Sequence, residues 1–485
     1  MIFSTLTLNS DSPIYIQIVN HVLNSIKTGE LKKGSKLPST REAGKFLKVS
    51  RNSVLTAYEY LESREITATK KGVGTFVLAE SKTEFTSKNI DYLSNINSYA
   101  KSLRDLDIMK KDHKYKKGMI SFKSIAPNSD LFNTDDFKRA LMDAWTFEEN
   151  NLLNYGYAKG YKPLIDYFFE YMNEKRADKT NKDILITNGF TEAFDILISS
   201  ITNKGDTILC EEPTHNTALK IMKSYGLNIV QIPMDKDGII IENLEEKVSL
   251  ENIKLAYLIP SYNNPTGIVT KSDRRKKIFE ILNRNNIPII EDGFNEELLY
   301  SSSPIDPLIS LSGRGNGVIY IGSLSKILFP GLRIGWIFAD SKLIDILESV
   351  KRGRTIHSSF LDQSVFYYYL KSGAFNRYLK QVKKYYKDKF TLVTDMINKY
   401  IPYEYMTGEG GLHVFLKLKN NISSDKLLDM CYKDNVIFMA GDIFFADTSK
   451  GKDTLRIGFG HVSDEEIKRG IKIIGKNIKK ISSLQ

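Results

Sequence analysis

Residues 321–336, with the sequence IGSLSKILFPGLRIGW, place two serines, a lysine and an arginine close together. Ser323 and Ser325 flank the approach to Lys326, and Arg333 follows that lysine by seven positions. A lysine amine attacks an aldehyde, while hydroxyl donors and a planar guanidinium suit a dianionic phosphate. The stretch therefore predicts a lysine that holds pyridoxal 5'-phosphate (PLP) as a Schiff base. Taken alone, it is also typical of a solvated surface lysine, so the neighbouring motifs decide between the two.

One such motif is the apolar run before Asp292, which is IPII followed by Glu291. Its length and β-branched content predict a buried parallel strand, and ligands sit at the carboxyl ends of such strands. A carboxylate there pairs with a protonated pyridine nitrogen and makes the ring an electron sink. The alternative is an Asp that caps a helix over EDGFNEELLY.

Three more motifs follow predicted strands. Asn264 opens an Asn-Pro-Thr-Gly sequence and could donate to the phenolic oxygen of the cofactor, although this sequence also spells an ordinary turn. In ILITNGFTEAFDIL a glycine turn leads into a helix, so Gly189, Phe190 and Thr191 would aim backbone N–H groups at a phosphate. Arg456, in TLRIGF, could clamp a substrate carboxylate.

In this order the motifs resemble those of the fold-type I aminotransferases, from about residue 119 to the C-terminus. The resemblance implies an α/β fold with a large, mostly parallel sheet and a small C-terminal α+β domain. It also implies that Lys326 and Asp292 are the catalytic pair, that Asn264 binds the phenolate and that Arg456 binds a carboxylate. The phosphate group would lie among Gly189 and its neighbours, the two serines and Arg333.

The chain departs from this family at positions around the pocket. His215, in EEPTHNTAL, stands where the family usually places a tyrosine that stacks on the cofactor ring, and an imidazole stacks less broadly. Phe294 replaces a tyrosine that often reaches the phenolic oxygen. Tyr157, Ala158 and Ile165 replace residues near the entrance. Catalytic turnover is therefore a weaker expectation than cofactor binding.

The first 78 residues follow a different pattern. Ile14, Ile18, Val22 and Ile26 recur at four-residue spacing and predict an amphipathic helix that ends near Gly29.

Two short helices should follow it. Ser39 with Glu42 three residues later forms a capping box, and Ser50 is a plausible N-cap for the next helix. The residues expected to face inward are Ala43, Phe46 and Leu47 on the second helix, and Val54, Tyr58 and Leu61 on the third. Two capped helices joined this tightly indicate a helix-turn-helix.

The third helix begins with Arg51, Asn52 and Ser53, residue types that reach base edges and phosphates in the major groove. After it, ITATKKGVGTFVL predicts two short strands around a basic tip that contains Lys71, a wing able to touch backbone phosphates. A solvated helix face is the alternative for each basic residue.

The segment LPSTREA…VSRNSV…AYEYLE…GVGTFV resembles the GntR-type winged helix throughout. By position, the resemblance implies that Arg41, Arg51 and Lys71 contact DNA, with Asn52 and Ser53 beside them.

The charge distribution agrees with this division. Residues 1–78 carry eleven Lys and Arg against six Asp and Glu, and residues 79–118 carry nine against six. These 118 residues supply eight of the net +11, as expected where phosphates are neutralised. We predict a winged helix over 1–78, a polar linker over 79–118 with a short helix in YAKSLRDLDIMK, and an aminotransferase-like body over 119–485.

The composition excludes several classes of protein. The chain has no apolar run long enough to span a membrane, and MIFSTLTLNS lacks the pattern of a signal peptide. Cys210 and Cys431 are the only cysteines, so neither a disulfide framework nor a metal site is expected. These observations favour a cytoplasmic protein.

A GntR-type winged helix ahead of an aminotransferase-like body resembles the MocR-type regulators. The resemblance implies a PLP-dependent transcription factor that binds an operator in double-stranded DNA, forms a head-to-tail homodimer and responds to PLP or an amine or amino acid. The runner-up is a working amino acid:2-oxo acid aminotransferase with an accessory DNA-binding domain. A PLP-binding protein with neither activity would leave the set of Lys326, Asp292 and Arg456 unexplained.

Overall fold

A computed structural model of the chain describes residues 2–10, 12–79, 90–107, 113–293, 296–298, 300, 305–324 and 327–483. It divides into two compact units, Met1–Asn95 and Ile96–Gln485. Each unit has its own hydrophobic core.

The first unit is a three-helix domain with a β-hairpin. Its elements are α1 (Ile14–Lys27), α2 (Thr40–Leu47), α3 (Arg51–Ser63), β1 (Thr67–Lys70) and β2 (Gly74–Val77). The capping box at the start of α2 is present, because the Ser39 side chain accepts from the Glu42 N–H and the Glu42 side chain accepts from the Ser39 N–H. Ser50 caps α3 in the same way through the N–H of Ser53. The predicted helix-turn-helix is confirmed.

The inward faces of the helices agree with the expected pattern except at two positions. Val54, Tyr58 and Leu61 of α3 are buried as predicted. Phe46 is 45% exposed, because the buried face of α2 is centred on Ala43 and Gly44, whose neighbour is the Val49 carbonyl. Ile14, at the first residue of α1, is also partly exposed.

The predicted wing is the antiparallel pair of β1 and β2, with Lys71 and Gly72 at its tip. A side chain of α3 ties the wing to the helix: Glu62 accepts hydrogen bonds from the backbone N–H of Thr69 at 2.8 Å and from its hydroxyl at 3.0 Å. The wing is therefore fixed to the C-terminal end of the third helix.

The second unit contains an eight-stranded sheet and a four-stranded sheet. Its strands are β3 (Ile120–Ser121), β4 (Lys182–Thr187), β5 (Thr207–Glu212), β6 (Asn228–Asp235), β7 (Gly238–Ile239), β8 (Ile253–Leu258), β9 (Ile289–Asp292), β10 (Val318–Ser323), β11 (Gly335–Asp340), β12 (Tyr403–Thr407), β13 (His413–Leu418), β14 (Val436–Ile437), β15 (Met439–Ala440) and β16 (Thr454–Gly458). The large sheet has the order β4-β11-β10-β9-β8-β5-β6-β7. Its central pairs from β10 to β6 are parallel, and β11 runs antiparallel to both of its neighbours.

Helices cover both faces of the large sheet. The helices of this unit are α4 (Ser98–Asp105), α5 (Thr134–Leu152), α6 (Lys162–Glu174), α7 (Phe190–Ile201), α8 (Asn216–Ser224), α9 (Ile241–Leu250), α10 (Ser272–Arg284), α11 (Leu308–Leu311), α12 (Ser341–Thr355), α13 (Phe360–Lys371), α14 (Ala374–Tyr400), α15 (Ser424–Lys433) and α16 (Asp464–Ser482). Successive strand residues point to opposite faces, so Ile289 belongs to one core cluster and Ile290 to the other. A sheet covered on both faces explains why its strands are almost continuously apolar.

The small sheet, β12-β13-β16-β15, is antiparallel and carries Arg456 on β16. It packs beside the long helix α14 and the C-terminal helix α16. The short strand β3 pairs with β14, so the chain just after residue 119 joins this C-terminal region. A large, mostly parallel sheet followed by a small C-terminal α+β part is the architecture predicted from the sequence.

The segment predicted as a linker contains the expected short helix, α4. This helix belongs to the second unit, where Tyr99 lies 5.2 Å from the ring of Tyr225 at the end of α8. Among the residues that the structure describes, no helix has the length and apolar character needed to cross a bilayer.

Candidate functional site

The predicted cofactor residues gather at one edge of the large sheet. The carboxyl ends of β4, β5, β8, β9 and β10 meet at this edge, and the amino end of the antiparallel β11 joins them. The residues at or just after these ends are Gly189, Phe190, Thr191, His215, Asn264, Asp292, Ser323 and Arg333. Ser325, Lys326 and Phe294 lie outside the described residues.

Asp292 is the last residue of β9, and it is buried. The hydroxyl of Tyr257, on the adjacent strand β8, donates to Asp292 Oδ2 at 2.8 Å. Burial raises the pKa of Asp292 to about 7, against the lowering effect of the Tyr257 hydrogen bond. A carboxylate in this position lacks a cation among the described residues, so a protonated ring nitrogen would offset its burial.

A second carboxyl lies close to it. Glu211, near the end of β5, accepts a hydrogen bond from the backbone N–H of Ile259 at 2.6 Å. Burial raises the pKa of Glu211 to about 8, and the nearby charge of Asp292 adds to this effect. Glu211 therefore holds the segment after β8 in place through the Ile259 N–H.

The turn between β4 and α7 forms a cradle with Arg333. Gly189 has a φ of +82°, and Arg333 Nη2 donates to the Asn188 carbonyl at 2.7 Å. A Cβ at position 189 would lie 3.0 Å from that same nitrogen, so only glycine lets Arg333 approach this closely and adopts this backbone without strain. The guanidinium therefore lies beside the N-terminus of α7, and these two groups together have the chemistry that binds a phosphate.

Asn264 and Arg456 are brought together from the two sheets of the unit. Arg456 Nη1 donates to Asn264 Oδ1 at 2.8 Å, and Arg456 Nη2 donates to the Lys123 carbonyl at 3.0 Å. Because Oδ1 of Asn264 is engaged, its Nδ2 is left to donate to a ligand. Arg456 is 5% exposed, its Nε has no hydrogen-bond partner among the described residues, and burial lowers its pKa to about 9.

Aromatic rings line the part of the site that lies near the end of β5. His215 precedes α8, and its ring centroid lies 5.1 Å from that of Phe190. Phe190 in turn stacks on Phe194 at 5.4 Å, and Phe194 lies 4.8 Å from Tyr257. These contacts hold His215 beside the edge where a flat ring would lie.

The described residues fit PLP and an amino acid beside it by three independent observations: the uncompensated carboxyl of Asp292, the guanidinium of Arg333 held against Gly189, and the unpartnered Nε of Arg456. They match the ring nitrogen, the phosphate and the carboxylate of an amino acid in that order.

Three residues that support Asp292 and Asn264 were not predicted from the sequence. Tyr257 orients Asp292, and Glu211 holds the chain after β8. Arg275 binds both ends of the loop that carries Asn264, because its Nε donates to the Thr270 carbonyl at 2.9 Å and its Nη2 to the Pro260 carbonyl at 2.8 Å. A hydroxyl or carboxylate inside an otherwise apolar strand run is the signal that could have identified Tyr257 and Glu211.

In the first unit, the predicted DNA-contacting residues share the surface of α2, α3 and the wing. Arg41, Arg51, Asn52 and Lys71 are exposed. Arg51 Nε donates to the Thr40 hydroxyl at 3.3 Å, which links the start of α3 to the start of α2. Ser53 is less free to reach DNA, since its hydroxyl lies 2.8 Å from that of Ser50.

Comparison with known proteins gives the same two parts. A family model for aminotransferases of class I and II matches residues 126–474, and one for bacterial regulatory proteins of the gntR family matches residues 14–77. Over 335 residues the chain is 33% identical to aromatic-amino-acid aminotransferase 1 of Thermococcus litoralis, a match that covers 67% of this chain and 80% of that protein.

A second relative spans both parts. Over 482 residues the chain is 27% identical to the uncharacterized HTH-type transcriptional regulator YdfD of Bacillus subtilis, a match that covers 97% of each protein. Among solved structures, the α-aminoadipate aminotransferase LysN of Thermus thermophilus, complexed with N-(5'-phosphopyridoxyl)-L-leucine, has a TM-score of 0.74 at 26% identity and covers 82% of this chain and 100% of LysN.

The aminotransferase family implies PLP as the cofactor. The chain belongs to the class I and II aminotransferases and carries a GntR helix-turn-helix domain ahead of that body, which is the arrangement of the MocR-type regulators.

Proposed function

We propose that this chain is a PLP-dependent transcriptional regulator that binds a DNA operator and senses PLP or an amino compound in its aminotransferase-like domain. The observation that carries the proposal is an intact winged helix, with Arg51 and Asn52 exposed at the start of α3, in the same chain as an assembled cofactor site. An enzyme needs no such DNA-binding surface. We keep residues 1–78, 79–118 and 119–485 as the proposed winged helix, linker and body.

The residues of the site have separate roles in this proposal. Asp292, oriented by Tyr257, would pair with the protonated ring nitrogen, and Asn264, whose Oδ1 is engaged by Arg456, would donate from Nδ2 to the phenolic oxygen. Ser323, Ser325, Arg333 and the N–H groups of Gly189, Phe190 and Thr191 would hold the phosphate, His215 would stack on the ring, and Lys326 would provide the amine. When bound, PLP supplies an electrophilic carbon and an electron-withdrawing ring. Arg456 then binds the carboxylate of an incoming amino acid.

The second candidate function is a working aminotransferase with an accessory DNA-binding domain. It is favoured by the 33% identity to an enzyme and by the joint presence of Asp292 and Arg456 in one site. His215 and Phe294 replace tyrosines with which the family usually contacts the cofactor. These two departures favour the regulator, because they make catalytic turnover a weaker expectation than cofactor binding.

The experiment measures operator affinity with and without PLP, then with a panel of amino acids. The operator is selected from a random duplex library with the purified full-length protein. Because an effector acts only through its differential affinity for the DNA-competent state, we expect a change of about 1–3 kcal/mol. The change caused by an amino acid should be lost in Arg456→Ala, while a change caused by PLP alone should persist.

The opposite outcome supports the enzyme. If neither PLP nor any amino acid alters operator affinity while the protein transaminates steadily, the regulator proposal is wrong.

We further propose a head-to-tail homodimer. One helix and the loop after it expose an unusual number of large apolar side chains, which are Met142, Trp145, Phe147, Leu153, Tyr155 and Tyr157. Single exposed apolar residues are ordinary, but several on one helix and the loop after it indicate a protein interface, which a second copy of the chain would cover in the proposed dimer.

Light scattering is expected to give the mass of a dimer for the parent and a shift towards monomer for Trp145→Glu, which places a charge in the apolar surface. The matched control is Leu250→Glu, which changes an exposed leucine at the end of α9. A parent that is monomeric at micromolar concentration would contradict the proposal.

We place the protein in the cytoplasm, in keeping with its two buried, unpaired cysteines.

A further inference from the structure

Arg456 is a buried cation whose hydrogen-bond partners are neutral. Its two terminal nitrogens donate to Asn264 Oδ1 and to the Lys123 carbonyl, and its Nε has no hydrogen-bond partner within the described part of the chain. A buried charge is costly unless other groups stabilise it. A further group should therefore keep this guanidinium charged and in place before the carboxylate of a ligand arrives.

The face of an aromatic ring meets this guanidinium. Cζ of Arg456 lies over the ring of Phe444, 5.1 Å from the ring centroid. The face of an aromatic ring attracts a cation, and the attraction is strongest where water is excluded. Both side chains are buried, and Phe444 is 0% exposed. Because the ring has no hydrogen-bond acceptor, it stabilises the charge and leaves the N–H groups available for a carboxylate.

The backbone of Phe444 is fixed to the large sheet. Phe444 ends a short 3-10 helix, Asp442–Phe444, in the connection between β15 and β16. Its carbonyl accepts a hydrogen bond from the Thr214 N–H at 2.9 Å, and Thr214 directly precedes His215. One residue therefore contacts both the arginine and the segment that carries the ring-stacking histidine.

The chain just after Phe444 is held in the same way. The Ala446 N–H donates to Gln231 Oε1 at 2.6 Å, and the Ala446 carbonyl accepts from Lys223 Nζ at 2.8 Å. Gln231 lies on β6 and Lys223 on α8. These contacts fix the backbone that carries the ring, which is the preorganisation that a binding site needs.

We propose that Phe444 is a positioning residue for amino-acid binding, whose ring holds the Arg456 guanidinium where it receives the α-carboxylate of the ligand. The inference rests on the proposed role of Arg456 and extends it to the residue that places this arginine. Since the ring acts through Arg456, it affects the binding of a carboxylate and leaves the binding of PLP and of a simple amine unchanged.

The test titrates PLP-loaded full-length protein with amino acids and with the amines that lack only their carboxylate. The pairs are L-phenylalanine with 2-phenylethylamine, L-leucine with 3-methylbutylamine, and L-alanine with ethylamine. Binding is followed by the visible spectrum. In the parent we expect the amino acids to bind more tightly than the amines, and Arg456→Ala should abolish the difference.

The decisive variant replaces Phe444 by pentafluorophenylalanine. Fluorine draws electrons away from the ring face, so the side chain keeps nearly its size but no longer attracts a cation. We expect this protein to bind the amino acids about tenfold more weakly, as the loss of one cation–π contact in a dry site gives, while the amines keep their affinity. Phe444→Leu should act in the same direction.

The matched control is the same replacement at Phe459. This residue is also 0% exposed and lies three positions after Arg456, but its ring contacts Tyr386 and Phe390. Thermal unfolding checks that each variant is folded. We expect the control to retain the difference between amino acids and amines.

Three outcomes overturn the inference alone. They are a pentafluorophenylalanine protein that still binds amino acids like the parent in an Arg456-dependent manner, a variant that loses amino acids and amines equally, and a Phe459 control that shows the same selective loss. A parent that binds no amino acid, or whose amino-acid binding does not depend on Arg456, would instead overturn the proposed role of Arg456 itself. The two failures are therefore distinguishable.

Discussion

Purified Lys326→Ala protein is expected to lose, on dialysis, the visible absorption band that the parent retains. The parent should hold PLP covalently, and a covalent bond resists dilution. The variant is left with only the phosphate and ring contacts of Arg333, Gly189 and Asp292, which exchange with solvent. Lys342→Ala is the control, since Lys342 is an exposed lysine on α12 of the same region.

A second lysine has to be excluded as the site of cofactor attachment. Lys351 is fully buried, and its ammonium donates to the carbonyls of Ala158 at 2.8 Å and Ile186 at 2.6 Å. Burial lowers the pKa of Lys351 to about 8, so this lysine is the one to exclude. Borohydride reduction followed by peptide mass analysis should place the cofactor on the peptide with Lys326. Attachment at Lys351 would refute the assignment.

The winged helix should respond differently to changes at Arg51 and Lys71. Arg51 begins α3, where a side chain reaches base edges, so Arg51→Ala is expected to reduce discrimination between operator and random duplex by about 1–3 kcal/mol. Lys71 lies at the tip of the wing, where it would contact phosphates. Lys71→Ala should weaken binding to both duplexes and lower the salt slope by about 1.

Gel shifts over a series of salt concentrations measure both effects. Arg64→Ala is the matched control, because Arg64 is an exposed arginine at the opposite end of α3, about 20 Å from Arg51 at about 1.5 Å per residue. If Arg51→Ala weakens binding to operator and random duplex equally, Arg51 is a phosphate contact. If Arg64→Ala lowers the discrimination between the two duplexes as much as Arg51→Ala does, the effect is one of overall charge.

The local elements of this protein could be predicted because their signals lie within a few residues. The capping box of Ser39 and Glu42 and the N-cap at Ser50 specify where α2 and α3 begin, and each depends on side chains at most three positions away. The β-branched run before Asp292 specifies a buried strand in the same way. The prediction that Phe46 faces inward is wrong. The face of α2 that packs inward is set instead by the close approach of Gly44 to the Val49 carbonyl.

Local sequence patterns are enough to locate the two parts of this protein, the beginnings of the helices in its winged helix, and the strand ends that carry Gly189, Asn264 and Asp292. Which of these groups meet depends on the packing of the sheets and cannot be read from such patterns. Arg456 and Asn264 are 192 positions apart, and their hydrogen bond exists because the small sheet packs against the loop after β8. Likewise, Tyr257 reaches Asp292 because β8 and β9 are neighbours in the sheet. The physical reason is that capping and periodicity act between near neighbours in the chain, whereas the pairing of buried polar groups depends on how whole layers pack.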